Sequence, residues 1–192
     1  MRALTQAVGA EAMALMKERG VRYSRTLPCR EDGRRMGNYY SWEASFGTSD
    51  HDEAIMRQRG YEWEWKNDRR TLTYRWRRPG VAPDPSDPSR DLFFNQLVVL
   101  HHSYYLDYPR AVELGRVLTD PDDWPSNTAW GDGEPIDQEF VDFVRAETWK
   151  CTVGVSWQKG DLVFLNNMLV AHGRMGFNPT SKRKIMVSLT KD

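Results

Sequence analysis

Leu4, Val8, Ala12, Leu15 and Met16 recur at helical spacing, with Glu11, Lys17, Glu18 and Arg19 between and after them, so the N-terminal stretch predicts an amphipathic helix rather than a signal peptide. Gly20 suits the left-handed residue that closes a last turn, and Val21 to Leu27 then predicts a strand. From Tyr61 to Arg77 the period changes to two. Tyr61, Trp63 and Trp65 share one face with Leu72, Tyr74 and Trp76, and Glu62 and Glu64 share the other with Thr73, Arg75 and Arg77. This predicts a hairpin turning near Asn67 and Asp68, with the two glutamates paired across the strands to Arg75 and Arg77.

Thr48, Ser49 or Asp50 is suited to cap a short helix running to Arg59 and stopped by Gly60. Pro79, Pro83, Pro85 and Pro88 predict a loop, Leu92 to Leu100 an apolar strand leading to His101 and His102, and Ile136 to Trp149 a helix that buries Phe140, Val141, Phe143 and Val144. Three closing strands are expected at Cys151–Trp157, Asp161–Asn166 and Met168–His172, and a fourth at Arg183–Leu189. Mixed helices followed by closely spaced strands suggest one domain over residues 1–192, α+β and mostly β, a sandwich with helices on one side.

Charge and composition narrow the partners. The 27 basic and 27 acidic side chains cancel, which disfavours a nucleic-acid or membrane surface and favours a small-molecule ligand. The Arg- and Trp-rich hairpin is better read as ion-paired sheet than as a base-stacking platform. Cys29 and Cys151 fit no metal or redox motif and suit a reducing compartment, and no apolar run reaches the ~20 residues of a membrane helix. A cytoplasmic protein is expected.

The last third carries Trp157-Gln158-Lys159-Gly160-Asp161-Leu162, then Ala171-His172-Gly173-Arg174, then Lys182-Arg183-Lys184. Upstream are Ser41-Trp42, Glu62-Trp63-Glu64-Trp65, Phe94-Asn95-Gln96 and Gly131-Asp132-Gly133. Together these resemble the taurine dioxygenase-like (TauD/TfdA, clavaminate synthase-like) family of Fe(II)/2-oxoglutarate-dependent oxygenases, in its C-terminal part. The resemblance implies a partial double-stranded β-helix (jelly roll) with flanking helices, iron(II) and 2-oxoglutarate as cofactors, and an oxidoreductase that hydroxylates a small amino-acid-like or natural-product substrate.

By the same resemblance His172 is an iron ligand and Asn167 a supporting polar residue near it. Arg183 binds the far carboxylate of 2-oxoglutarate through its planar fork, with Arg174 as the other candidate. Asn95, Gln96 and His101 stand where the family presents polar groups to substrate, although a hydrogen-bonded strand end would look the same. No catalytic acid or base is assigned.

The family's proximal His-x-Asp/Glu pair and its cosubstrate threonine have no counterpart here and are expected in a segment preceding Met1. His51-Asp52-Glu53 matches the string, but at a helix start its acidic residues are better explained by the positive dipole end. His101 and His102, as strand neighbours, would point to opposite faces, so only one could join His172. The expectation is therefore an oxygenase whose N-terminal part is missing from this chain, through a truncated gene model, a split gene or an internal start, with a homo-oligomer or a complementing N-terminal chain as the expected protein partner; the alternative is a non-catalytic truncated homologue acting as a binding or scaffold subunit.

Overall fold

The computed structural model describes residues 1–32, 41–51, 60–106 and 118–173. The first helical stretch is two helices, α1 (Arg2–Val8) and α2 (Ala10–Arg19), because Gly9 takes φ 88° and ψ 161°, which interrupts the helix. Gly20 ends α2 as expected, its N–H donating to the carbonyl of Met16. Strand β1 (Val21–Pro28) follows at once, then a short helix α3 (Trp42–Phe46), capped where the Ser41 hydroxyl accepts from the Ala44 N–H.

Strands β2 (Glu62–Lys66) and β3 (Thr71–Arg78) form the predicted hairpin, turning through Asn67, Asp68 and Arg69 at positive φ. Arg75 meets Glu64 at 3.4 Å and Arg77 meets Glu62 at 3.5 Å, the expected charge pairs. The proline-rich stretch is not a loop: β4 (Val81–Asp84) and β5 (Asp87–Phe93) make a second hairpin. A two-stranded ribbon has only edge strands, where proline's missing N–H costs no ladder bond, and the register shifts between Pro83 and Asp84.

The apolar run after Asp91 also divides. β5 stops at Phe93, and Leu97–Leu100 is a single helical turn, α4, because the Asn95 Oδ1 accepts from the Leu97 N–H and turns the chain. β6 (Ser126–Trp130), unforeseen from sequence, follows a 3-10 turn at Pro121–Asp123, and α5 (Gln138–Lys150) is capped by Asp137. Val141 and Val144 are fully buried and Phe140 partly so, but Phe143 is exposed, so the buried stripe of α5 is narrower than expected.

The main sheet is antiparallel with order β2-β3-β1-β6, giving a mixed α+β arrangement. One face packs Val21 and Tyr23 against Leu4, Val8, Met13 and Met16 of α1 and α2, Leu97 of α4, and Val141 and Val144 of α5. Farther along, Leu27 and Leu72 pack with Trp42 under an aromatic layer that includes Trp63, Trp65 and Tyr74.

The three expected closing strands do not form a ladder. Residues 151–173 are turns and irregular chain with exposed side chains, including Val153 at 85% and Phe164 at 87%. Alternation equips a segment to be a strand, but its N–H and C=O groups also need a neighbouring strand, and the described residues provide none. The Met1 amino group does reach this stretch, donating to the Leu169 carbonyl at 2.6 Å. The helix expected to run to Arg59 and the strand expected at Arg183–Leu189 fall on residues outside those described. No helix among the described residues is long and apolar enough to cross a membrane.

Close approach of backbones gives a sharp stability test. A Cβ on Gly131 would lie 2.0 Å from the Arg19 carbonyl oxygen, while one on Gly154 would meet nothing within 4 Å. Gly131→Ala is expected to lower unfolding free energy by about 3 kcal/mol, and Gly154→Ala to change it by less than about 0.5 kcal/mol, in urea denaturation.

Candidate functional site

On the face of the sheet opposite the helices, β1 and β3 present Ser24, Thr26 and Thr73, all buried, with Arg75 beside them. Buried hydroxyls need partners, and the Pro121–Asp123 turn supplies them. The turn is fixed by Asp120, whose side chain accepts from the Asp122 N–H, and by Pro121 in its first position. Thr26 donates to the Asp122 carbonyl at 2.5 Å and shares a 2.8 Å hydrogen bond with Thr73.

The Asp122 carboxylate gathers the rest. Its Oδ1 accepts from Ser24 at 2.8 Å and from the Asn127 amide at 3.2 Å, and its Oδ2 accepts from Arg75 at 2.8 Å and Arg22 at 3.3 Å. Burial by itself would raise this carboxyl's pKa, but the hydrogen bonds from Arg75, Ser24 and Asn127 outweigh it and hold the group below the ordinary carboxylate range.

Asn127 passes the network on to the histidines. Its Oδ1 accepts from the His102 backbone N–H at 3.3 Å and lies 2.9 Å from His102 Nδ1. Because that oxygen can only accept, His102 Nδ1 carries the proton and Nε2 keeps the lone pair. His101 has the reverse arrangement: its Nδ1 accepts from the Ser103 N–H at 3.3 Å and lies 2.9 Å from the Ser103 hydroxyl, which also accepts from Arg145 at 2.8 Å. In neutral His101 the proton is therefore on Nε2. The two rings sit 4.3 Å apart, and burial, followed by the charges of His102 and Arg145, lowers His101 to about 4. A neighbouring donor and acceptor of this kind suit polar recognition.

The residues singled out from sequence are scattered rather than gathered. His101 lies in the pair just described. Asn95 is a structural clamp, its amide donating to the Gly80 carbonyl at 2.6 Å, and Gln96 is exposed, its N–H donating to the Tyr23 hydroxyl at 3.1 Å. Asn167 and His172 are exposed in the irregular 151–173 stretch, and Arg174 and Arg183 are outside the described residues. His51 packs on Trp42 and Trp65 with its Nε2 at 3.2 Å from the Arg69 carbonyl; Asp52 and Glu53 are outside the described residues.

A 2-His-1-carboxylate iron site needs two imidazoles and a carboxylate converging on one point. Among the described residues no three His, Cys, Asp or Glu side chains converge in this way, so these residues do not by themselves fit iron(II). Sequence reasoning passed over Asp122. The signal available was local, an Asp-Pro-Asp-Asp string with the form of a capped turn, but nothing in it pointed to Arg75 or Asn127.

Two measurements probe the network. Asp122→Ala removes the carboxylate partner of Arg22, leaves Arg75 with Glu64 alone, and is expected to cost roughly 3–5 kcal/mol in chemical denaturation. For His101, the lowered folded pKa means the unfolded chain binds the proton more readily. Stability from this group is full above about pH 6.5 and declines as pH falls toward 4, by up to roughly 3 kcal/mol. Unfolding curves between pH 7 and 4 are expected to show a steeper loss in the wild type than in His101→Gln.

Comparison with known proteins bears on the whole chain. The profile of the "Taurine catabolism dioxygenase TauD, TfdA family" matches residues 9–190. The dapdiamide synthesis protein DdaC of Enterobacter agglomerans is 30% identical over 188 residues, covering 95% of this chain and 52% of that protein. A clavaminate synthase-like protein of Arabidopsis thaliana is 28% identical over 187 residues, covering 94% of this chain and 50% of that protein. The chain thus spans about half the length of the curated relatives it matches. With the family profile matched from residue 9 to residue 190, the chain belongs to the TauD/TfdA dioxygenase family.

Proposed function

We propose that this chain is the C-terminal half of an Fe(II)/2-oxoglutarate-dependent dioxygenase unit that oxidises a small amino-acid-like or natural-product substrate. The observation that carries the reading is the family match over residues 9–190, within which the Ala171-His172-Gly173-Arg174 and Lys182-Arg183-Lys184 stretches lie. Iron(II) and 2-oxoglutarate are what this family generally uses. In this reading His172 contributes one imidazole to the metal and Arg183 a planar fork to the cosubstrate carboxylate. The remaining donors come from outside the described residues, from this chain or a complementing one.

The same reading gives residues 151–173 their strand partners. Val153, Val155, Trp157, Leu162, Phe164 and Val170 are exposed where a jelly-roll strand would bury every second side chain. That exposure also favours a second reading, a non-catalytic subunit whose 151–173 stretch docks on another chain.

An anaerobic titration of the purified chain with iron(II) and 2-oxoglutarate separates the two. A visible charge-transfer band that is lost in His172→Ala supports the oxygenase reading. Absence of the band, with no iron retained on dialysis, points to the binding-subunit reading for this chain alone. Sedimentation showing a stable monomer at micromolar concentration would remove the main support of the latter.

A further inference from the structure

Four aromatic rings run as a continuous stack across the helix side of the sheet. The pairing of β1 with β3 sets Tyr23 directly opposite Trp76, and alternation puts Tyr74 on the same face two residues away. The rings follow that register. Tyr23 and Trp76 stack at 5.3 Å with 20° between their planes, Trp76 and Tyr74 at 5.6 Å and 23°, and Tyr74 and Tyr61 at 5.7 Å and 15°. Tyr61 also lies 5.7 Å from Trp76, so the last step has two routes. Such pairs contribute to packing, but packing alone would be served as well by phenylalanine or leucine. All four members are instead Tyr or Trp, the side chains whose rings lose one electron most readily and form neutral radicals. Electron transfer between rings falls steeply with distance and is fast between rings in contact.

The two ends of the stack treat a proton differently. Oxidation of a phenol or an indole at neutral pH is complete only when its O–H or N–H proton leaves. Tyr23 is 4% exposed, its oxygen accepts the Gln96 N–H at 3.1 Å, and burial outweighs that bond and raises its pKa, so the phenol keeps its proton. Trp76, Tyr74 and Tyr61 are half-buried, and Tyr61 stands just before β2, the edge strand of the sheet, where water takes up a released proton. An electron vacancy on Trp76 is thus drawn toward Tyr61 rather than toward Tyr23.

We propose that this stack is a relay that carries a single-electron oxidation from Trp76, packed on buried Tyr23, to the surface at Tyr61. A one-electron oxidant takes an electron from the Trp76 indole, which releases its N–H proton to water. The indolyl radical then takes an electron from Tyr61, directly or through Tyr74, and regains a proton from water, while the Tyr61 phenol proton passes to water. A thiol or ascorbate-class reductant returns a hydrogen atom to the Tyr61 oxygen and resets the relay. The relay goes beyond the proposed oxygenase and rests on it only for the natural source of the oxidant.

The test is flash photolysis of the full chain carrying a ruthenium polypyridyl photo-oxidant on a thiol introduced by Arg78→Cys, in a Cys151→Ser background with buried Cys29 left in place. Arg78 is exposed and two residues from Trp76 on β3, hence on the same side of the sheet. Transient absorption is expected to show an indolyl radical decaying into a long-lived tyrosyl radical. Trp76→Phe is expected to slow tyrosyl formation, Tyr61→Phe to abolish the long-lived signal, and Tyr23→Phe to leave it in place. Each change keeps an aromatic ring in the stack, and Tyr61→Phe decides by itself if Trp76→Phe proves unfolded by circular dichroism. No tyrosyl radical in the parent, a signal that survives Tyr61→Phe, a formation rate indifferent to a folded Trp76→Phe, or a signal lost in Tyr23→Phe would each overturn the proposal. Because neither iron nor 2-oxoglutarate is added, this result and that of the iron titration stand or fall separately.

Discussion

The Asp122 carboxylate holds together the polar side of this sheet. Four donors from three strands, Ser24 and Arg22 of β1, Arg75 of β3 and Asn127 of β6, end on its two oxygens, and its own backbone carbonyl takes Thr26. A sheet face made of serine, threonine and arginine gains little by burial, so only a partner that satisfies each group allows it to be covered. The short turn at Pro121–Asp123 carries that partner, and the order of the histidines depends on it, because Asn127 is oriented by Asp122 before it orients His102.

The opposite face is governed by different physics. There the sheet packs by apolar contact against α1, α2, α4 and α5, and the aromatic side chains of β2 and β3 extend the layer past the helices: Tyr74 and Trp76 stack at 5.6 Å, and Tyr23 joins Trp76 at 5.3 Å. Arg25 is the exception on this face, a charge among rings and aliphatic groups. The two faces treat arginine differently: Arg22 and Arg75 reach Asp122 on the polar face, but among the described residues no carboxylate pairs with Arg25 on the other.

The stretch 151–173 shows how a strand-like sequence and a strand differ. Its alternating apolar residues suit a sheet, and it lies within the residues that the family profile matches and carries His172, on which the proposed oxygenase reading depends. Backbone pairing is a property of two segments, and this one has no described neighbour. Among the described residues the exposed imidazole of His172 thus goes with a stretch that has no strand alongside.

Local physics was legible in the sequence. Periodicity and turn chemistry gave the end of α2 at Gly20, strand β1, the β2–β3 hairpin with its faces and ion pairs, and the place of α5, because each follows from side chains within a few residues of one another. The motif stretches around His172 and Arg183 also gave the family. Properties that join distant residues were not legible. The prolines of β4 and β5 look like a loop until the ribbon is seen to have only edges, and α4 looks like a strand until Asn95 clamps to Gly80. β6 lacks a strong pattern because its residues are buried by neighbours on both faces. Asp122 is 98 residues from Ser24 and 47 from Arg75. Sequence fixes what each segment can do alone; which charges meet is set only when the strands are brought into register.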